Sequence, residues 1–387
     1  MSKAAAPARI LVVDDNEMNR DMLARRLVRE GYEVDVAENG RRALERAAES
    51  SYDLMLLDVM MPELDGKEVL ARWVKDPVLR NIPVVMISAS DETETVVRCI
   101  ELGADDYLPK PFNPVILKAR VGASLDKKRL RDRERLHTES LEKELAIGRQ
   151  IQATFLPSTL PQPAGWEIGA RFEPARQCAG DFYDTFPLPA GRLGLVIADV
   201  CDKGVGAALF MALFRSLTRS TAEQLGEAES AEMAQRTVCA TNAYIARTHG
   251  TSNMFATLFL GILETATGEL RYVNAGHEAP LLLAPGGGVA HKLEPSGPAV
   301  GLMPDSSFEV REARIDPGQI LFAYTDGLTD ARGEAEFFGA ARLMAILERP
   351  SSTADSLLEG LCREVRDHTG AAEPYDDLTL LAARRIP

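Results

Sequence analysis

From Arg9 to about Leu125, short β-branched apolar runs alternate with stretches whose apolar residues recur at helical spacing. That repeat is expected of a parallel sheet wrapped by helices. The runs are ILVVDD, EVDVAEN, DLMLLDV, PVVMISA and DYLPKP. Helices are predicted to begin near Glu17, Gly40, Lys67, Glu92 and Asn113, each behind polar or turn residues that can cap a first turn. The pattern predicts an α/β domain built on a doubly wound, five-stranded parallel sheet.

In such a sheet the ligand site lies at the carboxyl ends of the strands, where residues distant in sequence converge. Asp14 and Asp15 close the first run, Asp58 the third and Ser88 the fourth, and Lys110 follows the fifth. Singly, each is an ordinary turn or helix-capping residue. Together they set three carboxylates, a hydroxyl and an ammonium on one rim. Carboxylates that close repel one another unless a hard divalent cation neutralises them, and Mg2+ suits oxygen donors. A carboxylate beside that ion can attack a phosphoryl group while Lys110 and Ser88 hold its equatorial oxygens. Asp58 is the predicted nucleophile.

This set, with the loop DVMMPELDG, resembles the two-component receiver family, whose pattern is an acidic pair, a phospho-accepting Asp before a PxxDG loop, a Ser or Thr, and a Lys-Pro. The resemblance implies that Asp15, Asp58 and the backbone carbonyl of Met60 ligate Mg2+, with Asp14 assisting through water. It further implies that Ser88 and Tyr107 form the switch pair, that the Lys110-Pro111 peptide is cis, and that a histidine kinase is the partner. On its own, Tyr107 would read as core or edge packing.

The chain has 387 residues, nearly half of them apolar, more than one ordinary core absorbs, so two domains are expected. A formal charge of -14 and the lack of a basic helix-turn-helix behind the first domain argue against nucleic acid as a partner. No apolar run approaches the roughly 20 residues of a membrane span, and MSKAAAPARI lacks a signal-peptide core. A cytoplasmic protein without a membrane partner is expected. The cysteines Cys99, Cys178, Cys201, Cys239 and Cys362 are scattered, as are the histidines, so thiolate and histidine metal sites are not predicted.

Ser124 to Phe155 is rich in Leu, Glu, Lys and Arg, with no Pro and only Gly148 as a breaker, which predicts a long helix ended by Pro157 and Pro161. Leu130, Leu136, Leu141, Leu145, Ile151 and Phe155 give it an apolar stripe that fits heptads poorly. A homodimer helix and a solvated spacer are the two readings. The predicted organisation is a first domain over 1–123, a helical linker over 124–156 and a second domain over 157–387.

Beyond Pro161 the predicted strands WEIGARFEP, LGLVIADV, FATLFLGILE, ELRYVNAG and QILFAYTDG are interrupted by helices near Val205–Glu223 and Ala228–Thr248, with another after Phe338. This predicts an α+β domain, a β-sandwich flanked by helices. Acidic residues again fall at strand ends: Asp181 in CAGDFYD, Asp199 in IADVCDKG, Asp326 in YTDGLTD and Asp376 in PYDDLTLL. Gly180, Gly204 and Gly327 beside them permit tight turns. Four convergent carboxylates suit Mg2+ or Mn2+, and two such ions activate water for phosphate ester hydrolysis. No Cys-x5-Arg element or Ser-His pairing is present, so no phospho-enzyme is expected here. Read one at a time, TDG and DVCDKG are turns whose Asp satisfies backbone amides.

These motifs, with LEKELAIGRQIQATFLPSTLP, ADVCDKGVGAALFM and NAGHEAPLLL, resemble the SpoIIE-like branch of the metal-dependent serine/threonine phosphatases over roughly residues 140 to 387. The resemblance implies two Mn2+ or Mg2+ ions. Asp199 would bridge them, the Val200 carbonyl would be a further ligand, Asp326 and Asp376 would complete one shell, and Asp181 would sit by the second. Asp184 and Asp377 have weaker claims, and His277 is expected to make a structural hydrogen bond. CAGD and VCDKG depart from the branch, which usually carries Gly-Gly and a Ser or Gly before KG. No arginine matches the phosphate-holding one of eukaryotic relatives, and Arg176 is only loosely placed for that part.

The implied function is a response regulator in which phosphorylation of Asp58 controls a phosphatase acting on a phosphorylated STAS-type anti-sigma antagonist. The rival is a phosphorylation-gated adaptor without catalysis that binds a sigma factor or antagonist. Loss of the metal aspartates would mark the rival, and all four are present.

Overall fold

The structure, a computed structural model, describes residues 6–89, 93–334, 336–370 and 372–387. It divides into two compact units, Met1–Leu141 and Glu142–Pro387. In the first, β1 (Arg9–Val13), β2 (Glu33–Ala37), β3 (Leu54–Asp58), β4 (Val84–Ser88) and β5 (Asp106–Pro109) form a parallel sheet in the order β2-β1-β3-β4-β5. Helices α1 (Glu17–Arg29), α2 (Gly40–Glu49), α3 (Gly66–Lys75), α4 (Thr93–Glu101) and α5 (Pro114–Ala153) alternate with the strands. This is the expected doubly wound fold. Polar side chains cap α1 to α3: Asn16, Asn39 and Asp65 each accept from a backbone N–H of the first turn. The start expected at Glu92 lies outside the described residues.

Every residue of β3 and β4 is buried, because helices cover both faces of the sheet. Trp73 fills one side, fully buried, with its indole N–H donating to the Ile82 carbonyl. Each large side chain buried this way contributes roughly 1.5–3 kcal/mol.

The linker helix predicted from residue 124 is instead the continuation of the first unit's last helix, and α5 runs unbroken for 40 residues. No proline falls inside it after Pro114, Gly122 and Gly148 do not interrupt it, and Arg135–Glu139 adds an i,i+4 ion pair. Lys127 and Arg131 pair with Asp105, and Lys128 with Asp53, tying the helix to the first unit beyond residue 124. Its apolar stripe divides: Leu130, Leu136, Leu141 and Ile151 are exposed, whereas Phe155, just past the helix, packs into the second unit's core.

The second unit is a sandwich of two antiparallel sheets. One, in the order β13-β10-β9-β8-β7, comprises β7 (Phe182–Leu188), β8 (Arg192–Val200), β9 (Ala256–Glu264), β10 (Glu269–Ala275) and β13 (Arg311–Arg314). The other, in the order β12-β11-β14-β15-β6, comprises β6 (Trp166–Glu173), β11 (Leu281–Leu283), β12 (Val289–Lys292), β14 (Ile320–Tyr324) and β15 (Leu378–Arg385). Trp166, Leu195, Phe259, Leu321 and Leu381 belong to the core between them. Helices α6 (Val205–Gln224) and α7 (Ser230–Thr248) cover the first sheet, and α8 (Gly339–Leu347) and α9 (Ala354–Thr369) the second.

Candidate metal and phosphoryl-transfer centres

In the first unit the parallel strands deliver their ends to one rim. Asp14, Asp15 and Asp58 each bring a carboxylate oxygen within 4.8 Å of the others, the only such trio among the described residues. Lys110 reaches in from beyond β5 and donates to Asp14 at 2.8 Å and to Asp58 at 2.9 Å. Burial raises the Asp58 pKa, Lys110 opposes that shift, and Asp14 and Asp15 add to it. Burial works against the Lys110 charge, but its bonds to the two carboxylates outweigh burial and raise its pKa. One ammonium leaves three carboxylates short of neutrality, so an all-oxygen donor set with surplus negative charge fits Mg2+.

Ser88, buried, ends β4 one strand away, and Tyr107 on β5 is half-buried with the Arg120 guanidinium 5.4 Å over its ring. Met60 follows β3 with its side chain exposed, and the Lys110-Pro111 peptide is cis.

The second cluster is assembled differently. Asp199 lies within β8, and Phe182 of β7 pairs with Ala198, so Asp181 and Asp199 extend that antiparallel pair by one step. On the other sheet, Asp326 follows β14 and Asp376 precedes β15, again antiparallel neighbours. Asp181 and Asp376 therefore stand before strands rather than at strand ends as expected. An antiparallel pair brings the start of one strand beside the end of the next, so both positions reach the same edge.

Asp181 is buried, and its Oδ2 accepts from the hydroxyls of Thr325 and Thr379, both at 2.7 Å, from the opposite sheet. Burial, then the Asp199 charge, raises the Asp181 pKa well above the carboxylate range, with the two threonines opposing. Asp199 rises to about 7 through burial and the Asp326 charge, and Asp326 to about 6 through burial and the Asp376 charge. Carboxylates crowded into holding protons near neutrality fit a divalent-cation site, because a bound cation relieves both the burial and the repulsion. Val200 ends β8 buried, and a Cβ on Gly180 would stand 2.7 Å from its carbonyl oxygen. Gly327 is tighter still, since a Cβ there would meet the Asp377 carbonyl at 1.9 Å.

The two weaker candidates have other occupations. Asp184 is buried within β7 and pairs with Arg215 at 2.9 Å and Arg219 at 3.4 Å. Asp377 accepts from the backbone N–H of Ala175 at 2.7 Å and of Gly180 at 2.9 Å, bracing the loop that leads to Asp181. His277 is buried, its Nδ1 2.8 Å from the Thr257 hydroxyl and its backbone N–H donating to Asn274. Burial depresses its pKa to about 4.

Sequence reasoning missed several supporting residues. Thr325 and Thr379 stood inside YTDG and DDLTLL with no charge to mark them. Lys203 pairs with Asp376 at 2.7 Å and donates to the Tyr375 carbonyl. Gln152, on α5, donates to the Ala179 carbonyl at 2.6 Å and accepts from the Ala179 N–H at 3.1 Å, two residues before Asp181.

A family model described as "Stage II sporulation protein E (SpoIIE)" matches residues 189–386. The chain belongs to the SpoIIE family. Ahead of its SpoIIE domain, residues 10–122 match the model of the response regulator receiver domain. Protein IcfG of Synechocystis sp. is 44% identical over 263 residues, covering 62% of this chain and 41% of IcfG. Response regulator PleD of Caulobacter vibrioides is 43% identical over 144 residues, covering 37% of this chain and 30% of PleD. The SpoIIE-family chain thus spans less than half the length of either relative. The solved SiaA-PP2C domain of Pseudomonas aeruginosa shares the fold, with a TM-score of 0.54 at 21% identity over 64% of this chain and 98% of that one. The protein therefore carries a response regulator receiver domain followed by a SpoIIE domain. Among the described residues, no helix is long and apolar enough to cross a membrane.

Proposed function

We propose that the protein is a protein serine/threonine phosphatase gated by phosphorylation of its receiver. A histidine kinase's phosphoryl group is taken up by Asp58. Asp14, Asp15, Asp58 and the Met60 carbonyl would hold Mg2+, Lys110 neutralises the charge on the transferring group, and Ser88 and Tyr107 respond to it. In the second unit Asp181, Asp199, the Val200 carbonyl, Asp326 and Asp376 would hold two Mn2+ or Mg2+ ions. Such ions supply charge neutralisation on the phosphate and activation of a water nucleophile. Thr325 and Thr379 fix Asp181, and Lys203 orients Asp376.

The observation that carries this reading is the crowding of Asp181, Asp199, Asp326 and Asp376, two from each sheet, with Asp199 pushed up to about 7. Such a cost is retained where a cation repays it. The substrate proposed is a phosphorylated Ser or Thr of a STAS-type anti-sigma antagonist, whose release alters transcription without DNA contact. Gating runs through α5, and the exposed Leu130, Leu136 and Leu141 offer a homodimer seam along it.

The test is Mn2+-dependent hydrolysis of 4-nitrophenyl phosphate and of a phosphorylated STAS protein, with and without beryllofluoride on Asp58. Turnover that changes on loading is expected. A folded protein with no turnover in either state would move the reading to the adaptor.

A further inference from the structure

The second unit holds a cleft lined by segments that lead into the candidate site. It has a volume of about 590 Å3 and is walled by Leu145 and Arg149 of α5, by the segment 174–178 with Arg176, and by the start of α6 at Gly204. Both walls that are not α5 run directly into the candidate site: 174–178 leads to Asp181, and Gly204 closes the turn that follows Asp199. The volume falls within the roughly 300–1,000 Å3 of clefts that receive ligands.

The walls are fixed to one another. Gln152, one turn beyond Arg149, is buried and makes two hydrogen bonds to the Ala179 peptide. A Cβ on Gly148 would lie 3.6 Å from the Cys178 Sγ, so helix and segment are in van der Waals reach. The Ala175 N–H is held by Asp377 at 2.7 Å. Arg149 and Arg176 are therefore presented on a braced frame.

Their charges are also unspent. Elsewhere in this unit Arg171 pairs with Asp355, Arg215 with Asp184 and Arg366 with Glu173. Arg149 and Arg176 are exposed, and neither pairs with a carboxylate among the described residues. In a chain of net charge -14, two unpaired guanidinium groups facing one cleft leave a local positive site. Guanidinium is the side chain best shaped for bidentate contact with carboxylates.

We propose that this cleft is a specificity subsite for protein substrates, in which Arg149 and Arg176 receive acidic side chains flanking the phosphorylated Ser or Thr. The inference rests on the phosphatase reading above and adds the chemistry of the preferred substrate. On that reading Asp181, Asp199, Asp326 and Asp376 would hold the cations that receive the phosphoryl group, so the peptide on either side of it is what reaches the cleft.

The test uses the full chain with Mn2+ and two phosphothreonine peptides, identical except that flanking positions carry three Glu or three Lys. Turnover of 4-nitrophenyl phosphate by the native protein serves as reference. The native protein is expected to favour the Glu peptide by about tenfold in kcat/KM, mostly through KM. The double variant R149Q/R176Q should bring the ratio to about one, and R149E/R176E should invert it. Because the readout is a ratio within each protein, a general loss of turnover cancels, and the inversion is not expected of a purely structural role. Equal turnover of the two peptides by the native protein would overturn the proposal, as would a Glu preference that survives in R149Q/R176Q. Absence of native turnover on the aryl phosphate and on both peptides would instead sink the phosphatase reading, and this proposal with it.

Discussion

Replacing Arg215 by Met should destabilise the second unit by about 3 kcal/mol without touching the candidate cation site. Asp184 is 1% exposed at its side chain, with Arg215 at 2.9 Å and the more exposed Arg219 at 3.4 Å as its partners. Burial already raises the Asp184 pKa with both arginines in place. Removing one partner of a buried pair costs roughly 3–5 kcal/mol, because the remaining charge is left desolvated. Arg219 stays to share the load, which favours the lower end. Pairing Asp184→Leu with Arg215→Met removes the charge as well as its partner and should recover most of the loss. The chain has two tryptophans, Trp73 in the receiver and Trp166 in the second unit, both buried. In a Trp73→Phe background, urea unfolding followed by Trp166 emission reports the second unit alone. With a slope of about 3 kcal/mol/M, the midpoint should fall by about 1 M. A shift under about 0.3 M would refute the reasoning. So would loss of Mn2+-dependent thermal stabilisation in Asp184→Asn, which would make Asp184 part of the metal centre.

Asp199→Asn or Asp326→Asn should abolish Mn2+-dependent turnover while leaving phosphate acceptance at Asp58 intact, as read by phosphodonor labelling; normal turnover would contradict the assigned cluster. Asp58→Ala should keep basal hydrolysis and lose its response to a phosphodonor in a steady-state assay. Thr325→Val removes one of the two donors to Asp181 and should weaken Mn2+ affinity about tenfold by calorimetry, the lower end for such supporting partners. His277, depressed to about 4 from 6.5, is uncharged in the fold while the unfolded chain takes up a proton first. Its contribution is complete above pH 6.5 and is lost as pH falls toward 4, about 3 kcal/mol in all. His277→Gln should flatten stability against pH across that window, and an unchanged profile would exclude the histidine as the cause.

The receiver was legible because its chemistry follows its periodicity: a parallel sheet sends every carboxyl end to one rim, so Asp14, Asp58, Ser88 and Lys110 could be read off the ends of apolar runs. The sandwich was harder. β7 reads FYDTFPL, and its Asp184 faces inward to two arginines from α6, which breaks the apolar alternation that marks a strand. β11, β12 and β13 have three or four residues each, too short for a period to show. The braces of the site, Thr325, Thr379 and Gln152, are uncharged and gain meaning only from partners more than twenty residues away. The helix expected to begin at 124 is continuous with the one that begins at Pro114, because the receiver's last helix runs through Gly122 with no proline to stop it.

Asp181 and Asp199 belong to one sheet, and Asp326 and Asp376 to the other. Cations shared between these pairs, as proposed, would therefore crosslink the sheets. Chelation should loosen that edge of the sandwich first, raising amide exchange around Phe182 and Leu378 while the layer around Phe259 and Leu321 stays protected. Metal occupancy and closure of the sandwich would then be two descriptions of a single equilibrium.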